Sequence, residues 1–228
     1  VTISVNTNNS ALVALQNLNK TNEDLAAAQN RISTGLKVQG AKDNASVWGI
    51  AQGQRADIGA LSAVKMSLDR ATSIADVSMS AGESISDLLN QLKEKVVSAM
   101  DPSLDATSRT ALNSDYKALL KQISQITNDA EFDGANMLNG STTNIRFIAN
   151  ADANSYITLA AKNLSMGGSI ITFAATSTIG TVTLATSILA QLDTSISNVN
   201  QALGDMGAQA KQIEAHNVFV SKLTDVLN

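Results

Sequence analysis

Between about Asp43 and Met100, two columns of small or aliphatic residues recur every seven positions. One is Leu61, Leu68, Ala75, Gly82, Leu89 and Val96; the other, three residues on, is Val64, Ala71, Ser78, Ile85, Leu92 and Ala99. A seven-residue repeat sustained this long keeps one seam turned toward a partner helix, as in a coiled coil or long bundle. Only Ser78 and Gly82 weaken it. At about 1.5 Å per residue, such a helix is roughly 80 Å long.

Asp101-Pro102 predicts the end of that helix, because proline disfavours helical geometry in the residue before it and suits the first turn of the next helix. A second helix is predicted from the stripe Leu112, Tyr116, Leu119, Ile123, Ile126 and Ala130, which steps by fours and threes and so lies on one face. Lys117, Lys121 and Gln125 fall on its wet side. The seven-residue repeat returns near the C-terminal end in Ala185, Leu192, Val199, Met206, Ile213, Val220 and Leu227, with a companion column Leu189, Ile196, Leu203 and Ala210. Ala11 to Ser33 carries a shorter repeat, Leu18, Leu25 and Ile32, supported by Leu12 and Leu15.

Between about Ser141 and Thr183 the period changes. Ile145–Ile148, Tyr156–Leu159, Ile170–Phe173 and Thr181–Leu184 are short β-branched runs separated by Asn, Asp, Ser and Gly, which predicts two or three hairpins. The fold class expected is therefore mainly α with a small β-rich insertion: an elongated, rod-like helical bundle built from both chain ends, with β-hairpins at one end. Its predicted parts are an N-terminal helical segment and linker (1–42), a long and a shorter helix (43–140), the β-rich insertion (141–184), and a C-terminal helix returning to the rod (185–228).

Composition narrows the chemistry. Of 228 residues, 44% are hydrophobic but only 3% aromatic, so the core must be built from Ala, Leu, Ile and Val, which favours close-packed helices. A single proline leaves long stretches free of helix breaks. With no cysteine, disulfides, thiolate metal sites and cysteine nucleophiles are excluded; the one histidine, His216, cannot form a two-histidine metal site, and a single histidine does not by itself argue for a Ser-His-Asp arrangement. The net charge of -4, from 16 basic and 20 acidic residues of mixed order, argues against nucleic acid as a partner. No apolar run approaches the roughly 20 residues that span a bilayer, and no secretion leader opens the sequence. The acidic turn Asn128, Asp129, Glu131, Asp133 lacks the ligand spacing of a calcium loop and reads as a polar helix end before a turn at Gly134. No cofactor or catalytic motif stands out, and an enzyme is not expected.

Residues Arg31 to Ser46, RISTGLKVQGAKDNAS, resemble the signature of bacterial flagellins: an Arg, a hydroxyl pair, Gly, a basic residue, then Ala-Lys-Asp and small residues. Glu131 to Gly140, EFDGANMLNG, is similar to the family's Phe-Asn/Asp-Gly turn followed by an aliphatic pair. Asn6-Thr7-Asn8, the Leu18-Asn19 step and Leu192 to Leu223 also match. Asn17 to Lys20 and Val47-Trp48-Gly49-Ile50 look closer to the alphaproteobacterial type. The likeness spans nearly all of the helical part and is loose across the β-rich middle.

The resemblance implies an extracellular structural subunit of the flagellar filament, exported without a cleavable signal peptide by the flagellum's own type III apparatus and self-assembling for motility. Its partners would be other flagellin subunits, the export apparatus and chaperone, and the filament cap and hook-junction proteins. Flagellins carry a further C-terminal helix beyond the segment matched here; on that comparison the chain stops short and is expected to be monomeric, with its N-terminal leucines inadequately covered. The expected self-assembly surface comprises Leu12, Leu15, Leu18, Leu25, Ile32, Arg31, Lys42 and Asp43, although the Leu18, Leu25, Ile32 column also fits an ordinary intramolecular core. In many flagellins, innate immune recognition uses an Arg and a Leu in a Gln-Arg-Val-Arg-Glu-Leu run. The matching stretch here, Asn90 to Lys95, places Gln91 and Lys95 at those positions. Ser and Thr between Ser141 and Thr186 are candidate glycosylation sites or plain solvated turn residues. The competing reading is a surface-displayed flagellin homologue acting as an adhesin or polysaccharide receptor, for which Phe147, Tyr156 and Phe173 are the only aromatics in the insertion.

Overall fold

A computed structural model describes residues 8–227; Asn6 and Thr7 of the opening motif lie outside the described residues. The chain divides into two compact units, the first ending at Asp57 and the second beginning at Ile58. The first holds helix α1 (Asn9–Thr34) and the opening turns of α2 (Ala45–Ala99). The second holds the rest of α2, α3 (Ala106–Asp129), the two-residue strands β1 (Glu131–Phe132) and β2 (Ala135–Asn136), β3 (Ile145–Ile148), β4 (Tyr156–Leu159) and α4 (Val182–Leu227). The secondary structure is mainly helical with two small antiparallel hairpins.

In the second unit every residue of both α2 columns is buried, Ser78 and Gly82 included. The Ser78 hydroxyl is satisfied within its own helix by donating to the Ile74 carbonyl at 2.7 Å. Gly82 serves close approach: a Cβ there would lie 2.5 Å from Leu203 Cδ2. The partner of this seam is α4, which runs antiparallel to it. Asp69 meets Asn217, Ser86 meets Asn200 and Lys93 meets Asp193, so each advance along α2 is matched by an equal retreat along α4. Ala185, Leu192, Val199, Met206, Ile213 and Val220 are buried as the repeat predicts. The expected companion column is not: Leu189, Ile196, Leu203 and Ala210 are only half-buried, while Ile188, Ser195 and Ala202, one residue earlier in each heptad, are covered. The reason is that α4 is covered on its other flank by the segment before it, which the seven-residue pattern does not encode.

Two layers complete this unit. Along Ile85–Ala99, α3 packs Tyr116, Leu120 and Ile123 onto the helix pair, together with Leu164, Ile171, Phe173 and Ile179. Burial on α3 is centred one residue beyond part of the predicted stripe, at Leu120 and Thr127, with Leu119 and Ile126 half-buried. Along Leu61–Ala75, the β3–β4 hairpin supplies Phe147, Ala149, Ile157 and Leu159, against Ile213 and Val220 of α4. The hairpin therefore covers one end of the helix pair, because its alternate apolar side chains need an apolar flank to cover.

Helix ends follow local chemistry. Arg109 closes the end of α2 by donating to the carbonyls of Ala99 and Asp101. Pro102 sits in the connecting turn and not in the first turn of the next helix, which Asp105 caps by accepting from the Ser108 amide at 2.6 Å. That backbone bond from Ser108 holds the Asp105 carboxyl below the usual carboxylate range.

Two predicted strands are not strands. Ile170–Phe173 makes one parallel bridge, Ile171 to Met166, and otherwise rests on α4: the Thr172 amide donates to Ser195 Oγ, and Asn198 Nδ2 donates to the Ser169 and Ile170 carbonyls. Helix side chains thus satisfy backbone groups that a ladder would otherwise take. Thr181–Leu184 opens α4 instead, with the Thr181 hydroxyl accepting from the Leu184 amide at 3.2 Å. A hairpin also forms where a helix end and turn were expected. Asp133 and Gly134 both have positive φ, as a type I′ turn requires, and join β1 to β2.

Candidate assembly interface

α1 is built to be a helix yet buries nothing. Asn8 caps its start by accepting from the Ala11 amide, and Gly35, at φ 68°, ends it with its N–H on the Arg31 carbonyl at 2.9 Å. Arg31 stands in the last turn, where a cation suits the helix dipole. Between these ends no residue is buried. Leu12, Leu15, Leu18 and Leu25 are each just over half exposed, and Ile32 is 83% exposed. Fully burying one such side chain is worth about 1.5–3 kcal/mol, so a helix that leaves five in water has the composition of a contact surface.

The linker after α1 is held by its own side chains. Thr34 Oγ1 accepts from the Leu36 amide and from Gln39 Nε2, and Asp43 Oδ2 accepts from the Gln39 amide at 3.0 Å. Asn44 then caps α2 through the Val47 amide. The motif from Arg31 to Ser46 is thus a turn that hydrogen-bonds itself together between two helices. Within it Arg31 and Asp43 border a cavity of about 310 Å³ shared with Glu23, Asn30 and Gln39, and Lys42 is exposed on the turn.

The second signature motif has an equally local explanation. Asn136 is buried; its Nδ2 donates to the Thr127 and Asn128 carbonyls at the end of α3, and its Oδ1 accepts from the amides of Leu138 and Asn139. One amide side chain therefore joins the end of α3 to the strand that follows. Of the acidic residues of this turn, Asp133 pairs with Arg70 at 2.8 Å.

Of the remaining predicted positions, Gln91 is exposed on α2, and Lys95 bridges to Asp115 of α3 at 3.1 Å. His216 is half-buried and bonds the Ala149 carbonyl through Nε2 at 2.6 Å, tying α4 to the β3–β4 hairpin. Phe147 and Phe173 are buried, whereas Tyr156 lies outside with the Arg146 guanidinium stacked over its ring at 4.2 Å. One capped ring makes no sugar-stacking platform. The groove between α2 and α3, lined by Asp76, Gln122, Gln125 and Asp129, holds about 590 Å³ and is open to solvent. No helix among the described residues is long and apolar enough to cross a membrane.

Comparison with known proteins agrees with this picture. Residues 5–143 match a family profile described as the bacterial flagellin N-terminal helical region. A flagellin of Caulobacter vibrioides, FljJ, is 49% identical over 228 residues, covering 99% of this chain and 81% of that protein. A Brucella melitensis flagellin is 33% identical, covering 97% and 81%. The crystal structure of Bacillus cereus flagellin superposes with a TM-score of 0.60 at 20% identity, over 67% of this chain and 87% of that one. A putative flagellar hook-associated protein from Vibrio parahaemolyticus gives 0.61 at 12% identity, over 82% and 99%; both likenesses are of fold.

Proposed function

This chain belongs to the bacterial flagellin family and is a structural subunit of the extracellular flagellar filament, assembling with other flagellin subunits, and on that premise we propose that the apolar face of α1 is where it joins its neighbours. The single observation that carries the proposal is a capped, 26-residue helix whose leucines, Leu12, Leu15, Leu18 and Leu25, and Ile32 all face water. Contacts between unlike patches of identical subunits generate an open helical filament when the rotation between neighbours does not close a ring. Arg31, Lys42 and Asp43 complete the surface as its polar edge.

In the same reading the chain catalyses nothing. It travels through the flagellum's own export apparatus with a chaperone, and meets the cap and hook-junction proteins at the filament's ends. The need of a filament subunit to reach the growing tip supports this route.

The test is to express the chain joined to the part of the Caulobacter vibrioides flagellin FljJ that lies outside the match, in a cell deprived of its own flagellins, and image the surface by electron microscopy. Replacing Leu18, Leu25 and Ile32 together by serine is expected to abolish filaments while leaving the thermal unfolding of the purified subunit unchanged, since none of the three is buried. Filaments of normal length from the triple variant would overturn the assignment of α1.

Gln91 and Lys95 carry a second expectation. With Gln in place of Arg and Lys in place of Leu, and with Lys95 drawn toward Asp115, the purified protein should activate the flagellin-sensing innate immune receptor weakly. Strong signalling at low protein concentration in reporter cells would contradict it.

A further inference from the structure

We propose that Asn139 is a site of spontaneous deamidation, through a succinimide closed by the backbone nitrogen of Gly140. Asn139 is the one asparagine of the sequence followed by glycine, so no side chain on the next residue shields the attacking nitrogen. Gly140 sits at φ 77°, a conformation glycine adopts without strain.

The structure adds a second feature to this pairing. Asn139 Oδ1 accepts two hydrogen bonds from one residue, from the Ser141 amide at 2.9 Å and from the Ser141 hydroxyl at 2.5 Å. Both donors point at the oxygen on which negative charge develops when Cγ is attacked, the arrangement that stabilises a tetrahedral intermediate. The backbone around it is fixed, with the Asn139 amide on Asn136 Oδ1 and its carbonyl accepting from Ser165 Oγ. Asn163 makes a similar turn, its Oδ1 accepting from the Ser165 amide, but Leu164 follows it; it is the internal control.

The chemistry needs only water. The Gly140 nitrogen loses its proton to solvent base and bonds to Asn139 Cγ; the C–N bond of the side-chain amide then breaks, and its nitrogen leaves as ammonia after taking a proton. Water opens the ring at either carbonyl, giving an aspartyl residue or an isoaspartyl residue whose main chain runs through the former side chain. The two products differ in consequence. The aspartyl form keeps an acceptor for Ser141. The isoaspartyl form adds a methylene to the main chain beside Gly140, where a Cβ would already lie 2.6 Å from Asn163 Nδ2, and so must disturb the junction with Asn163 and Ser165.

The experiment is peptide mass spectrometry, with isoaspartyl methyltransferase labelling, on the folded full chain held in warm, mildly alkaline buffer. Conversion at Asn139 is expected to run ahead of every other asparagine, Asn163 included. Ser141→Ala should slow it on the order of tenfold in the folded chain, less than the loss of a donor in a water-excluded site. The same variant should leave the rate unchanged in the urea-unfolded chain. Asn139 remaining intact in the folded protein, or folded wild type and Ser141→Ala converting at equal rates, would overturn the proposal.

Discussion

Asn136→Ala is expected to lower the unfolding free energy of the second unit by about 2–4 kcal/mol, as the loss of a buried, fully bonded polar group does. The side chain makes four hydrogen bonds, two given and two received. Alanine leaves the Thr127 and Asn128 carbonyls without their donor at the end of α3, and the buried Leu138 amide without its acceptor. Asn136→Asp sharpens the test. It keeps both acceptor bonds, yet sets a carboxylate oxygen against two carbonyl oxygens in a buried position, and should destabilise at least as much as alanine at neutral pH. Urea denaturation followed by circular dichroism measures both. A change below about 0.5 kcal/mol for either variant, the range of ordinary surface substitutions, would mean that Asn136 does not hold α3 to the strand.

Leu89→Ala carries the other large effect. Leu89 is fully buried at the centre of the cluster joining α2, α3 and α4, and truncating such a residue costs about 2–5 kcal/mol through lost transfer energy and the cavity left behind. Leu25→Ala removes the same atoms from a helix position with the same seven-residue spacing, but one that is 54% exposed. Its expected effect on the unfolding of the isolated subunit is within about 0.5 kcal/mol. Thermal or urea unfolding of the two variants side by side distinguishes a folding seam from an assembly seam. Equal losses for Leu25 and Leu89 would place α1 in the subunit's own core and remove the basis for its role between subunits.

The same comparison shows why the period alone is an incomplete guide. Leu18, Leu25 and Ile32 obey the spacing of Leu61, Leu68 and Leu89, and the sequence left open whether the first set packs within the subunit or between subunits. Periodicity records which residues face one side of a helix; it carries no information on which chain covers that side.

The amino-acid order by itself determined the long helix with both buried columns, the main column of α4, the pairing-prone runs Ile145–Ile148 and Tyr156–Leu159, and the family, because these rest on local spacing and short motifs. Tertiary structure alone decided that Ile170–Phe173 lies against α4 instead of joining a sheet, that Thr181–Leu184 begins a helix, that Ile188, Ser195 and Ala202 form the second covered column, and that Tyr156 faces outward under Arg146. In each case two local conformations or two helix faces were open to the chain. The choice went to the one whose backbone hydrogen bonds or apolar surface a distant segment was placed to satisfy.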